Sequence, residues 1–374
     1  MSTIDFISKR DALIRHYLTE EAIKENEFLY GQYTIVSANL SNFLPEIDCG
    51  RHINMFSQLL LHKQVSKLEQ GSVAAHNFLK TENLTTRTMD LLRSKPSIIC
   101  TFHTGSYRII NTFLIQNKIP FTLAIGSSIL AAEGEDYYSV YNSLAGDDKN
   151  NAFSIIDAEN PKSVLQMLRE LKSGRNLLLY LDGNSGAGTA TTKNENRCAV
   201  NFLEQQIFAR KGIGFLAHAV NVPIIPVINY RQEWKDIRLR FYDPILPDLD
   251  EMRDKFAVSV TQQLYDTVSP VIRQYPEQWE AWLYLHKVAN VSNQIPPLKG
   301  KPDGMFVRFN LNDYGIFKVN KRSFIFQKSN YTSYPISASL YEILMCSVEH
   351  PVNKKDIQRS VLVELEEKGV LHYL

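Results

Sequence analysis

The sequence predicts an α/β fold: a layered, mostly parallel sheet with helices on both faces, a helical N-terminal region and a small winged-helix-like α+β module at the C-terminal end. Three observations carry this. Short apolar runs alternate with helical stretches from Ser97 onward, the pattern that builds parallel sheets with covered faces. Residues before about position 93 show helical spacing and no strong strand signal. A break rich in Pro, Gly and Lys, "NQIPPLKGKPDG", precedes a fresh set of strand and helix signals. The expected organisation is therefore a helical region over 1–93, an α/β domain over 94–290, a linker over 291–304 and the small module over 305–374.

The elements follow in order. "NMFSQLLLHKQVSKLEQ" repeats apolar residues at helical spacing, and "SVAAHNFLKTENLTTRTMDLLRS" reads as a further helix. "SIICTF", bounded by Pro96 and Gly105, reads as a buried strand, and "PFTLAIG" and "AFSIID" as the next two. "PKSVLQMLRELKSG" is a helix with Pro161 near its start and Gly174 at its end. "RNLLLYLD" is a fourth strand, "KGIGFLAHAVN" a helix of small residues, and "VPIIPVINYR" and "IRLRFYDPIL" two further strands. The stretch from Leu249 to Lys287 is helical, with an interruption at Pro276. Beyond the break, "MFVRFNL", "GIFKVN" and "SFIFQK" are short strands with turns at "NDYG" and "NKR"; "SASLYEILMCSVE" and "KKDIQRSVLVELEEKG" are helices.

Composition narrows the function. The chain of 374 residues is 44% apolar, enough for a sizeable core. Its 41 basic and 40 acidic residues give a net charge of +1, which argues against nucleic acid as a partner. Four scattered cysteines form no CxxC pair, so neither zinc nor a disulfide framework is expected and a reducing, cytoplasmic compartment fits. The N-terminus is broken by Asp5, Lys9, Arg10 and Asp11 and reads as neither signal peptide nor membrane span; peripheral contact with the inner membrane stays open.

Ligands of open α/β sheets bind beyond the carboxyl ends of the strands. Two polar stretches fall there: "HTGSYR", His103 to Arg108, and "DGNSGAG", which begins at Asp182 and Gly183. The glycine spacing of the second does not match a phosphate-binding loop. Arg210 and Lys211, just before "GIG", could meet phosphate at a helix N-terminus or form a solvated pair. His218, Trp282 and His286 read as packing residues.

Four motifs in this order resemble the lysophospholipid acyltransferase superfamily, in its branch of bacterial lipid A late acyltransferases. "HTGSYR" is similar to that branch's H-x-G-x-aromatic-acid motif at His103, Gly105 and Tyr107. "LYLDGNSGAG" with "VNFLEQQIFARKGIGFLAHAVN", then "VPIIPV", then "YPEQWEAWLYLHK" supply the rest, from about Ser97 to Lys287. The resemblance implies a general base at His103, taking a proton from a hydroxyl or amine that attacks an acyl thioester. The co-substrate would be an acyl carrier protein or coenzyme A thioester, with no bound cofactor and no metal. Gly105, Ser106, Tyr107, Arg108, Asn184 and Arg210 would touch substrate, with Gly105 and nearby amides as oxyanion donors.

One position departs from the family. The carboxylate that orients the histidine falls at Arg108, which cannot accept a hydrogen bond. Three readings follow. Another carboxylate replaces it, Asp182 first and Glu133, Glu135 or Asp136 behind it; or His103 works alone while Arg108 binds an anionic acceptor or carrier phosphate; or the domain keeps the fold and binds an acylated carrier or peptide without turnover. A thioesterase is the remaining alternative. With no N-terminal anchor in the sequence, a soluble or peptide acceptor of specialised metabolism is expected rather than lipid A. The C-terminal "LEEKGVL" with its preceding helices resembles PqqD-like and winged-helix domains, which implies either peptide capture at a strand edge or a packing appendage.

Overall fold

The structure is a computed structural model that describes residues 2–145, 153–183, 196–291 and 304–374. Its helices are α1 (Thr3–Arg15), α2 (Glu20–Glu25), α3 (Glu27–Phe43), α4 (His52–Gln70), α5 (Thr86–Ser94), α6 (Ile109–Gln116), α7 (Ser127–Ala145), α8 (Ser163–Lys172), α9 (Gly212–Val220), α10 (Arg253–Gln274), α11 (Ala338–Glu349) and α12 (Arg359–Glu367). Its strands are β1 (Leu79–Glu82), β2 (Ile98–Thr101), β3 (Phe121–Ile125), β4 (Phe153–Asp157), β5 (Asn176–Tyr180), β6 (Arg197–Phe202), β7 (Gln205–Arg210), β8 (Ile224–Glu233), β9 (Asp236–Phe241), β10 (Ala289–Asn290), β11 (Phe306–Phe309), β12 (Tyr314–Val319), β13 (Arg322–Gln327), β14 (Thr332–Ile336), β15 (Val352–Asn353) and β16 (Leu371–Tyr373).

The mixed α/β class with a largely parallel sheet is what the chain adopts. Seven strands run in the order β1-β9-β8-β2-β5-β3-β4. Every pairing is parallel except β8 with β9. β2 is buried along its whole length, as expected of an apolar central strand. From β2 the chain crosses to β3 on one side; from β5 it later crosses to β8 on the other. The carboxyl ends of β2 and β5 thus flank a reversal of winding, where α/β sheets open a crevice.

Residues 72–94 do not form the single expected helix. Val73–Phe78 is a 3-10 turn, Leu79–Glu82 is the edge strand β1, and only Thr86–Ser94 is α-helical. The break has a local cause: Asn83 sits at φ 55, and the Thr85 hydroxyl caps α5 by accepting from Thr88 N. β1 pairs with β9 alone, and a half-paired polar strand carries little apolar signal.

The chain divides into two compact units: residues 1–17, 58–202 and 206–281, and residues 18–57, 203–205 and 282–374. The first contains the seven-stranded sheet. The second joins α3 to the C-terminal strands and helices, so the expected 1–93 region contributes to both. Tyr30 of α3 lies in one core with Val307, Phe309, Ile316, Ile325 and Leu344. Gly315 of β12 meets α3 so closely that a Cβ there would overlap Thr34 Cγ2. Lys328, 3% exposed, donates to Ser37 Oγ at 2.8 Å and Leu311 O at 2.6 Å. Within this unit β11 lies between β15 and β16, and β13 between β12 and β14, all antiparallel. The linker expected over 291–304 lies almost wholly outside the described residues.

Candidate active site

β2 and β5 set the site through their register. Thr101 pairs with Tyr180, and Leu181 N donates to Thr101 O at 3.0 Å. His103 and Asp182 stand two residues beyond that pair on neighbouring parallel strands, so they emerge side by side. His103 Nδ1 lies 2.7 Å from Asp182 Oδ1, and the His103 backbone N–H donates to the same carboxylate at 3.0 Å. Trp279 Nε1 donates to Asp182 Oδ2 at 2.7 Å. The carboxylate side chain is 2% exposed, the imidazole 20%. Asp182, accepting at Oδ1, holds the imidazole proton on Nδ1 and leaves the lone pair on Nε2. Nε2 has no hydrogen-bond partner among the described residues.

Aromatic rings fix the imidazole plane. Tyr180 stacks on it with centroids 4.5 Å apart, and Tyr107 meets it edge-on at 4.8 Å. Burial pushes both phenols well above their ordinary pKa, so they stay protonated. Tyr107 donates to Glu280 Oε2 at 3.0 Å, and Lys63 pairs with Glu280 Oε1 at 2.7 Å. Burial raises the Glu280 carboxyl, but Lys63, His103 and the Tyr107 hydrogen bond outweigh it and leave the pKa lowered.

Arg108 occupies a different place from an orienting acid. Its Nε donates to Tyr107 OH at 3.1 Å and its Nη1 to Gln70 Oε1 at 2.5 Å and Tyr137 OH at 3.1 Å; the same Nη1 pairs with Glu133. Burial opposes the charge, yet Tyr107, Tyr137 and Glu133 raise the guanidinium pKa further, so Arg108 is a fixed cation. Glu133, one of the candidate partners of His103, is thus the counter-ion of Arg108. His103 and Asp182 are brought together; Glu133 is not brought to His103.

Gly105 and Ser106 hold the turn rather than offering open amides. Gly105 N donates to Gln278 O at 2.9 Å and Ser106 N to Asn229 Oδ1 at 3.0 Å, so neither amide is turned toward a developing oxyanion. Gly105 has φ 54, and a Cβ there would lie 2.7 Å from Tyr230 Cα. Ser106 is fully buried and its hydroxyl has no partner among the described residues. Asn184 lies outside the described residues. Arg210 ends β7, half-buried; Lys211 pairs with Asp254. His218 Nε2 meets Glu251 O at 3.0 Å, and Trp282 is 1% exposed.

Sequence reading missed Trp279, Tyr180, Glu280 and Lys63. Tyr180 had a signal, two residues before Asp182 and therefore on the same face of the strand. Trp279 stands in the quoted "YPEQWEAW", but nothing in that stretch shows that its indole N–H reaches Asp182. Among the described residues no group of three or more His, Cys, Asp and Glu could hold a metal ion. Neither a protein-family model nor a curated protein matches the chain.

Proposed function

We propose that the protein is an acyltransferase that moves a fatty acyl group from an acyl carrier protein or coenzyme A thioester to a hydroxyl or amine, with His103 as general base. The observation that carries this reading is the His103–Asp182 pair: a part-exposed imidazole whose Nε2 meets no partner among the described residues, oriented at Nδ1 by a buried carboxylate that two further donors hold. Such a base accepts the acceptor's proton as its oxygen or nitrogen attacks the thioester carbon, and Asp182 stabilises the imidazolium that forms. The proton returns to the departing thiolate when the tetrahedral intermediate collapses. This role for Asp182 answers the absence of an acid at position 108 and supports turnover over carrier binding alone.

The resemblance to lipid A late acyltransferases belongs to the same proposal and rests on the four ordered motifs. No helix among the described residues is long and apolar enough to cross a membrane. A cytoplasmic protein with a soluble or peptide acceptor accords with that. The PqqD-like reading of the C-terminal strands and helices makes a peptide acceptor the first to try. The test is incubation with acyl-coenzyme A and acyl carrier protein thioesters, with products resolved by mass. The expected outcome is an acylated acceptor from the wild type and a loss of about 10²-fold or more in His103→Ala. Unchanged turnover in that variant would remove the base, and free fatty acid as the sole product would make the enzyme a thioesterase.

A further inference from the structure

β6 and β7 are neighbouring strands in a small sheet. Gln206 Nε2 bonds Asn201 Oδ1 at 3.0 Å and Lys211 N donates to Asn196 O at 3.2 Å, which sets the register. In that register Arg197 stands directly across from Arg210. Like charges facing each other across an antiparallel pair sit about 4.5–5.5 Å apart at Cβ and destabilise it. Neither arginine has a described carboxylate in ion-pair contact. Arg197 Nη1 and Arg210 Nη2 are both buried with no hydrogen-bond partner among the described residues. Burial, and then Arg197 beside it, lowers the Arg210 pKa, while Tyr265 and Glu159 pull the other way.

Two arginines that face each other across the pair, each with a donor left without an acceptor among the described residues, are matched by one oxyanion that bridges them. The hairpin also reaches the candidate active site. Phe202, at the far end of β6, packs on Trp279 with centroids 5.2 Å apart, and Trp279 holds Asp182. From Phe202 back to Arg197 is five residues of strand, roughly 16 Å. An extended pantetheine arm separates a thioester from its phosphate by a comparable length.

We infer that Arg197 and Arg210 form a phosphate-binding site, and that the phosphate is that of the pantetheine carrier bearing the acyl thioester. The site itself stands on the two arginines; its assignment to the donor rests on the acyl-transfer reading.

Calorimetric titration of the whole chain with inorganic phosphate, coenzyme A and pantetheine tests both parts. Saturable phosphate binding is expected, weakened at least tenfold by Arg197→Gln and by Arg210→Gln. Each variant should melt no lower than the wild type in phosphate-free buffer, because one of two facing like charges is gone. Should either unfold, Arg197→Lys and Arg210→Lys keep the charge but lose the forked donors, and binding should still weaken. No phosphate binding in the wild type, or equal binding in the variants, would overturn the site. Coenzyme A binding tighter than pantetheine, with the advantage lost in both variants, supports the donor; equal binding of the two overturns the donor assignment and moves the phosphate to the acceptor. His103→Ala should lower turnover by about 10²-fold or more and leave phosphate binding intact, so the base and the anion site fail separately.

Discussion

Asp182 accepts three donors: the imidazole of His103, the backbone N–H of His103 and the indole of Trp279. An asparagine offers one acceptor oxygen and must turn its amide hydrogens toward one of those donors. Asp182→Asn should therefore disturb the tautomer of His103 and lower kcat by about 10²–10⁴-fold, while KM for the thioester changes little. Trp279→Phe removes one donor and keeps the carboxylate; it should cost about 1–3 kcal/mol of stability and much less activity. Steady-state kinetics with a thioester substrate, alongside urea denaturation, separates the two, and an unchanged kcat in Asp182→Asn would end the orienting role. At this scale the sequence was partly legible. An acid that directly follows an apolar strand belongs at the mouth of a parallel sheet, so Asp182 could be named. Glu133, Glu135 and Asp136, named behind it as partners for His103, share one short stretch, and only the packing of α7 gives the first of them to Arg108 instead.

Gln278 holds the turn after β2 from outside, with Asn229 accepting from Ser106 N beside it. Gln278 accepts from Gly105 N with its carbonyl and from Arg231 N with Oε1 at 2.7 Å, and donates from Nε2 to Arg231 O at 2.8 Å. It ties the His103 turn to β8, and Gly105 is where backbone passes backbone. Gly105→Ala places a Cβ at positive φ and against Tyr230 Cα, so β8 or the turn must shift. A loss on the order of 2–3 kcal/mol and a marked fall in kcat are expected. Gly183→Ala is the control: its Cβ would meet Tyr180 O at an ordinary 3.5 Å, and stability should stay within about 0.5 kcal/mol. Equal denaturation midpoints for the two variants would show that the close approach carries no constraint. The strands flanking this turn were legible because they are buried on both faces and read as continuous apolar runs. β1 and the β6–β7 hairpin were not, because "LKTE" and "QQIFAR" mix polar and apolar residues as surface segments do.

Across the molecule, sequence distance hid which segments share a core. The Pro-rich break suggested that the last 70 or so residues stand alone. Their core instead includes α3, whose apolar spacing looks like that of any helix, and the buried amine of Lys328 finds Ser37 on it. Such burial has a consequence for acid stability. Burial lowers His52, His76 and His286 from 6.5 to about 4 each, with Lys328 adding to it at His52 and Lys287 at His286. Their contacts suit neutral rings. His52 Nδ1 meets Ser37 Oγ at 2.9 Å and its Nε2 meets Ile47 O at 3.2 Å, while His286 Nδ1 has no partner among the described residues. His76 Nε2 meets the hydroxyl of Thr112, which itself donates to Ile109 O at 2.8 Å. A histidine whose native pKa lies below its unfolded value binds its proton more readily in the unfolded chain. Its contribution is present above about pH 6.5 and is lost as pH falls toward 4. At about pH 5 each ring should have given up about 1–2 kcal/mol relative to about pH 7.5. Urea denaturation at those two pH values should show the summed loss, before ion-paired carboxylates begin to titrate. His76→Gln and His52→Gln should each flatten the dependence, whatever they do to stability at neutral pH. A dependence as steep in both variants as in the wild type would mean that these rings are not buried neutral in the native chain.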